Sequence, residues 1–310
     1  MNYYLKFVQN YPTVTDLANA PEEKVLKDWQ GLGYYSRARN LHAAAKEIVT
    51  RYGGKFPADY ESVRSLKGVG DYTAAAITSI AYGLPHPVLD GNVYRVISRI
   101  FGIEIPVDTP AGKKEVQDAL RSVFDPEHPA EFNQGMMEFG ALFCVPRNPD
   151  CPRCIFFAEC EARRKGLVNK LPAKSKTTRI RNRYFYYLVI EHDENIYLEK
   201  RTGKDIWEGL FQFPLLEAEA RLSLKQVEEH PAVRGLFGAD LSTRQASVEY
   251  KHVLSHQHLY ATFVVISTGK DFRPRPGWVA VKKEDLEIYA VPRLVHRFLE
   301  AYLPGQNRLF

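Results

Sequence analysis

All four cysteines of the chain fall in one loop, CVPRNPDCPRCIFFAEC, at Cys144, Cys151, Cys154 and Cys160, with the spacing C-x6-C-x2-C-x5-C. That arrangement excludes scattered disulfides as the device that organises the fold. Four thiolates in so short a span wrap one compact group, and Pro146, Pro149 and Pro152 stiffen the wrapping. Structural zinc usually takes paired ligands separated by a longer interval. The uneven, compact spacing suits a cubane iron–sulfur cluster better, with zinc as the alternative.

The 310 residues are long enough for two domains, each with its own core. Hydrophobic residues make up 45% and charged residues 25%, the balance of an ordinary globular protein. No apolar run has the length of a membrane span and no signal-peptide pattern opens the chain, so an intracellular protein without a membrane partner is expected. The further expectations are a bacterial-type cytoplasmic, nucleoid-associated location and a monomer. The net charge of +5 is modest, but Arg163 to Arg183 holds nine basic residues and no acid, which points to a polyanionic partner. Up to about residue 184 the apolar periodicity is helical, with helices predicted over Asp71–Tyr82, Gly112–Phe124 and Glu131–Leu142. Strand-like alternation begins with RYFYYLVIEHDENIYLEKR, so the second half reads as α+β. The expected division is a helical domain over 1–165, a basic linker over 166–182 and an α+β domain over 183–305.

Two stretches carry chemistry. Leu66-Lys67-Gly68-Val69-Gly70 is a glycine turn between helices, and the amides opening the next helix form a phosphate site. Asp90 stands where it would cap the following helix, so a fixed carboxylate lies close to a backbone anion cradle. A glycine turn or a capping aspartate alone more often has a purely structural role. Upstream, Gly31-Leu32-Gly33 precedes Tyr34 and Tyr35, with Arg37, Arg39 and His42 after them. An aromatic beside such a turn can wedge between bases, although core packing is the plainer reading for Tyr35.

Taken together, these pieces resemble the adenine DNA glycosylases of the MutY type, a helix-hairpin-helix family of base-excision repair enzymes. The resemblance rests on GLGYYSRARNLH, LKGVGDYTA, LDGNVYRV, FNQGMMEFGALFC with the cysteine loop, and WEGLFQFP with LSHQHL, in family order over nearly the whole chain. It implies an all-α helix-hairpin-helix domain followed by a Nudix-like α+β domain. It also implies removal of adenine from double-stranded DNA where adenine lies opposite 8-oxoguanine or guanine. Cys144, Cys151, Cys154 and Cys160 would ligate a [4Fe-4S] cluster, and the amides of Gly68, Val69 and Gly70 would contact phosphate. Tyr34 would intercalate beside the oxidised base. Asp90 would stabilise the positive charge that builds on the sugar, with Asn92 in the same pocket. In the tail, Leu254, Ser255 and His256 would form the loop that reads 8-oxoguanine.

Tyr72 stands where the strand-cutting relatives carry a lysine, so the resemblance implies base removal without a lyase step and disfavours a bifunctional pyrimidine glycosylase. The stretch from Gly209 to Glu229 lacks the glutamate-rich Nudix metal motif, so no pyrophosphatase activity is expected. The family also has a leading segment bearing the glutamate that protonates the leaving adenine, and Met1 aligns beyond it. Weak or no activity of the chain as written is therefore expected, and a lesion-binding protein without chemistry is the alternative.

Overall fold

Capping chemistry sets the helix boundaries of the first half. The computed structural model describes residues 2–175, 180–237, 242–269 and 272–303. Its first helices are α1 (Asn2–Asn10), α2 (Val14–Asn19), α3 (Glu22–Asp28), α4 (Tyr35–Tyr52), α5 (Tyr60–Ser65) and α6 (Asp71–Tyr82). They are followed by α7 (Gly91–Phe101), α8 (Pro110–Val123), α9 (Pro129–Glu138) and α10 (Glu161–Arg164). Thr13 and Asp16 close a capping box on α2, while Asp59, Asp90 and Thr109 each accept a backbone amide at the starts of α5, α7 and α8. The helix predicted through Leu142 ends sooner: after Glu138 the chain takes a π turn over Phe139–Phe143, in which the Cys144 amide donates to the Phe139 carbonyl at 2.8 Å. Widening the last turn redirects the backbone into the cysteine loop.

The chain falls into two compact units, which differ from the expected division. One holds residues 47–177. Its core joins Val93 and Ile97 of α7 to Val116 and Leu120 of α8, with Ile103 and Val107 between them. Residues 166–175 belong to this unit and are not a free linker. The Leu171 carbonyl accepts from Arg99 at 3.1 Å, the Ala173 carbonyl from the Val107 amide at 3.0 Å, and the Ser175 amide donates to Asp108 at 2.8 Å. Residues 176–179 of the expected linker, and 304–305 of the expected second domain, lie outside the described residues.

The other unit joins residues 1–46 to those from Thr178 onward. Apolar burial accounts for this union: Leu26, Tyr35 and Ala38 of the first helices share a core with Leu210 and Ala290. The sheet comprises β1 (Arg181–His192), β2 (Asn195–Lys200), β3 (Phe211–Gln212), β4 (Leu215–Ala218), β5 (Ser242–Ala246), β6 (Tyr250–Val253), β7 (Gln257–Ser267) and β8 (Trp278–Lys282). Its main order is β3-β2-β1-β7-β5, with β4 on β1, β6 on β7 and β8 on β2. Parallel pairing of β1 with β7 runs from Arg181↔Gln257 to Glu191↔Ser267.

Both faces of β1 are covered, which explains its nearly continuous apolar run. Phe185, Tyr187 and Val189 face the helix α13 (Arg293–Tyr302), with Phe298 stacked on Phe263 at 4.0 Å. The alternate residues Tyr186, Leu188 and Ile190 face α11 (Leu224–Glu229) and α12 (Pro231–Phe237) through Val227 and Val233.

Candidate nucleic-acid interface and active site

The hairpin is built as its glycines require. Gly68 has φ 78, a conformation costly for any residue with a Cβ, and the turn closes with the Val69 amide donating to the Leu66 carbonyl at 3.1 Å. Of the three predicted phosphate donors, Val69 is thus already partnered. The Gly68 and Gly70 amides have no protein acceptor among the described residues. Gly70 caps α6 without a side chain, and a Cβ built there meets nothing within 4 Å, so a ligand can approach this helix start closely. Asp71 opens α6 but is ion-paired with Arg64, which offsets its repulsion of an anion. Tyr72, the next residue, is exposed.

Asp90 is held at both carboxylate oxygens. Oδ1 accepts from the Val93 amide at 2.7 Å and Oδ2 from Asn92 Nδ2 at 3.0 Å. Asn92 Oδ1 accepts in turn from Arg95 Nη2 at 3.0 Å. Arg95 also donates to the Cys144 carbonyl at 2.8 Å and to the Gly140 carbonyl at 2.5 Å. One polar chain therefore runs from Asp90 through Asn92 and Arg95 to the entry of the cysteine loop. A Cβ on Gly140 would lie 2.7 Å from Asn92 Cβ, so the π turn can sit this close to α7 only with glycine there. Behind Asp90, the buried Asn133 accepts from the Val88 amide at 2.9 Å and donates to Ser79 and to the His86 carbonyl, fixing the approach to α7.

The four thiols line a common cavity with Arg99, Phe139, Phe156 and Arg163. Arg99 is 2% exposed and donates to the carbonyls of Leu171, Val145 and Pro146 and to the Cys144 sulfur at 3.4 Å. Among the described residues none of its partners is a carboxylate. Burial, and then Arg99 itself, lowers the pKa of Arg95. A cavity walled by buried guanidinium is short of negative charge, and four thiolates around an anionic group would supply it. No three of the described Cys, His, Asp or Glu residues converge on the position of one ion, although all four sulfurs face one space. Four thiols around one cavity, at this compact and uneven spacing, are a donor set that fits a multi-iron cluster. Burial, then the neighbouring thiols, raises Cys151, and burial raises Cys154, so loading such a group would displace protons.

Tyr34 and the tail loop lie in the other unit. Tyr34 has φ 47 and is 70% exposed, with Arg37 over its ring, while Tyr35 is buried. The loop between β6 and β7 is closed by the Leu254 amide donating to the Gln257 carbonyl at 2.8 Å and by the Arg181 amide donating to the His256 carbonyl at 3.1 Å. Ser255 and His256 are exposed and bonded to each other, whereas Leu254 packs on the sheet core and does not project as a wedge. Beneath the loop, Arg183 pairs with Glu217 and Asp205, each at 2.7 Å, and donates to Gln257 at 3.2 Å. Burial opposes the charge on Arg183, but the bonds to Glu217 and Asp205 outweigh it and raise its pKa.

Sequence reasoning missed Arg95, Arg99, Asn133 and Arg183. For the two α7 arginines the only local signal was a pair at i and i+4 among Val93, Val96 and Ile97.

Comparison with known proteins identifies two domain families in the chain. Residues 1–126 match the model of the HhH-GPD superfamily of base excision DNA repair proteins, and 185–301 match the NUDIX domain. An adenine DNA glycosylase of Buchnera aphidicola from Schizaphis graminum is 32% identical over 305 residues, covering 97% of this chain and 85% of that protein. That of Buchnera aphidicola from Acyrthosiphon pisum is 29% identical, covering 97% and 84%. The human adenine DNA glycosylase is 41% identical over 166 residues, covering 53% of this chain and 30% of the human protein.

Proposed function

The chain belongs to the adenine DNA glycosylases, base-excision repair enzymes that release adenine from DNA, and on that premise we propose that its target is adenine opposite 8-oxoguanine or guanine, with Asp90 as the catalytic carboxylate. The observation that carries this reading is the double tether of Asp90 at the start of α7, 2.7 Å from the Val93 amide and 3.0 Å from Asn92. A departing purine leaves an oxocarbenium-like sugar. A carboxylate already oriented, and stabilised by a helix N-terminus, lowers that barrier without reorganising during the step.

The remaining roles follow from placement. Gly68 and Gly70 hold a phosphate through free amides, which fixes the strand while the adenine is turned out of the stack. Tyr34 fills the gap beside the partner base, and Ser255 with His256 reads the oxidised guanine through exposed polar atoms. Tyr72 cannot form a Schiff base, so the reaction stops at the abasic site. Cys144, Cys151, Cys154 and Cys160 would hold a [4Fe-4S] cluster that, when bound, supplies a rigid charged staple for the loop. Arg95 and Asn92 carry the loop's position to Asp90.

A single-turnover assay on adenine:8-oxoguanine, adenine:guanine and adenine:thymine duplexes tests the reading, with binding measured on the same DNAs. Binding, with whatever weak cleavage the chain as written retains, that favours 8-oxoguanine, and loss of that cleavage in Asp90→Asn with binding intact, is the expected result. No preference among the three duplexes would overturn it, and tight lesion binding with no cleavage would support a non-catalytic lesion binder.

A further inference from the structure

Tyr34 and the 254–256 loop sit in the same compact unit, and a continuous joint lies between them. Leu26, Tyr35 and Ala38 of α3 and α4 are buried against Leu210 and Ala290. Around this core Arg39 donates to the Glu208 carbonyl and pairs with its carboxylate at 3.0 Å. Lys200 meets Glu23 at 2.9 Å, and the Val291 amide donates to Gln30 at 3.2 Å. Gly209 has φ +85, and a Cβ there would stand 3.1 Å from Leu26 Cδ1, so the segment lies flush against α3. Trp207 has φ 62 and packs into both this core and that of the sheet, with its ring 5.6 Å from His252. A non-glycine residue keeps such a backbone only where its surroundings over-determine it. His252 is the penultimate residue of β6, which leads directly into Leu254. At the other end, exposed Tyr34 is followed at once by buried Tyr35, so the wedge is rooted in the same joint.

We propose that residues 207–210 are a strut that locks the Tyr34 wedge to the 254–256 loop, with Arg39 and Glu208 as its positioning pair, so that the two read one base pair as a single head. This rests on the reading of Tyr34 and Ser255 given above. With a rigid joint, docking of one element delivers the other at fixed geometry, whereas a loose joint makes them independent binders. Lesion discrimination should therefore depend on residues that do not touch the lesion.

The test uses the full chain and two readouts: the ratio of affinities for adenine:8-oxoguanine over adenine:thymine duplexes, and amide exchange of the free protein. Arg39→Ala should lower the ratio by about tenfold, within the usual range of coupling between sites. It should also speed exchange at 31–36 and 252–256 together, with affinity for the undamaged duplex kept. Arg39→Lys should restore part of both. Glu208→Gln, which keeps the backbone bond, should give a smaller change of the same kind and carries the test if Arg39→Ala fails to fold. Faster exchange confined to the neighbourhood of 39 and 208, or an equal loss of affinity for both duplexes, would overturn the strut. If the unaltered chain showed no lesion preference, lesion reading itself would fall, and the exchange pattern would still decide the strut.

Discussion

Two buried arginines stand behind the two candidate surfaces, and they are satisfied in opposite ways. Arg99, beneath the cysteine loop, donates to carbonyls and a thiol, whereas Arg183, beneath the 254–256 loop, is paired with Asp205 and Glu217. The sheet unit therefore neutralises its buried charge from its own sequence. The helical unit leaves its charge to be balanced by the four thiols and whatever they hold. A site that takes a cofactor can be recognised by this charge deficit as well as by its ligands.

Breaking the Arg99 side should have the largest effect. Arg99→Met strips the carbonyls of Val145, Pro146 and Leu171 of their donor and is expected to cost about 3–5 kcal/mol, since each buried acceptor left unsatisfied costs roughly 1–3 kcal/mol. The visible absorbance expected of the proposed iron–sulfur cluster should be lost from the purified variant, and adding free iron and sulfide should not restore it. Normal absorbance and melting temperature would show that the thiols need no buried cation.

Arg183→Met should cost less, on the order of 1–3 kcal/mol, because Asp205 and Glu217 are each about a third exposed and water screens their repulsion. Adding Asp205→Asn and Glu217→Gln should recover most of that loss. No such rescue exists for Arg99, whose partners among the described residues are carbonyls and a thiol. Equal rescue at both sites would erase the contrast.

Asn92→Ala probes the tie between the two ends of the α7 polar chain. It removes one bond to Asp90 and one from Arg95, so the single-turnover rate should drop roughly tenfold, with stability little changed. A wild-type rate would mean that the Val93 amide alone fixes the carboxylate.

The smallest effect is that of pH on the sheet unit. Burial, the largest single influence, would raise Asp205, but the hydrogen bonds from Arg183 and the Ile206 amide, with the charges of Arg183 and Arg201, together outweigh it and hold the carboxyl below its ordinary value. A depressed carboxyl contributes stability that is complete above the unfolded value of about 4 and is lost as pH falls through the folded value. Melting of the sheet unit should therefore drop on acidification below about pH 4, and Asp205→Asn should flatten that part of the profile.

Features with a local cause were legible in the sequence. The glycine hairpin, the exact span of α6 and the gathering of the cysteines each follow from neighbouring residues and their dihedral or ligand demands. The features that escaped have distant causes. Arg95 and Arg99 read as a polar stripe until their acceptors, from Gly140 to Leu171, are brought to α7. Leu254 reads as a loop-tip apolar residue until the sheet core behind it is known. The π turn is also illegible, because the apolar period through Leu142 is that of an unbroken helix.

The union of the first 46 residues with the tail has a consequence for synthesis on the ribosome. Leu26, Tyr35 and Ala38 emerge early, but Leu210 and Ala290 emerge only near the end of translation, and β1 must wait for β7 before its longest pairing can close. Residues 47–177 form a compact unit of their own and can settle while the chain is still growing. The leading helices thus keep an uncovered apolar surface until residues 210 and 290 have been made, a natural target for holding chaperones and a point where slow, non-local closure sets the pace of maturation.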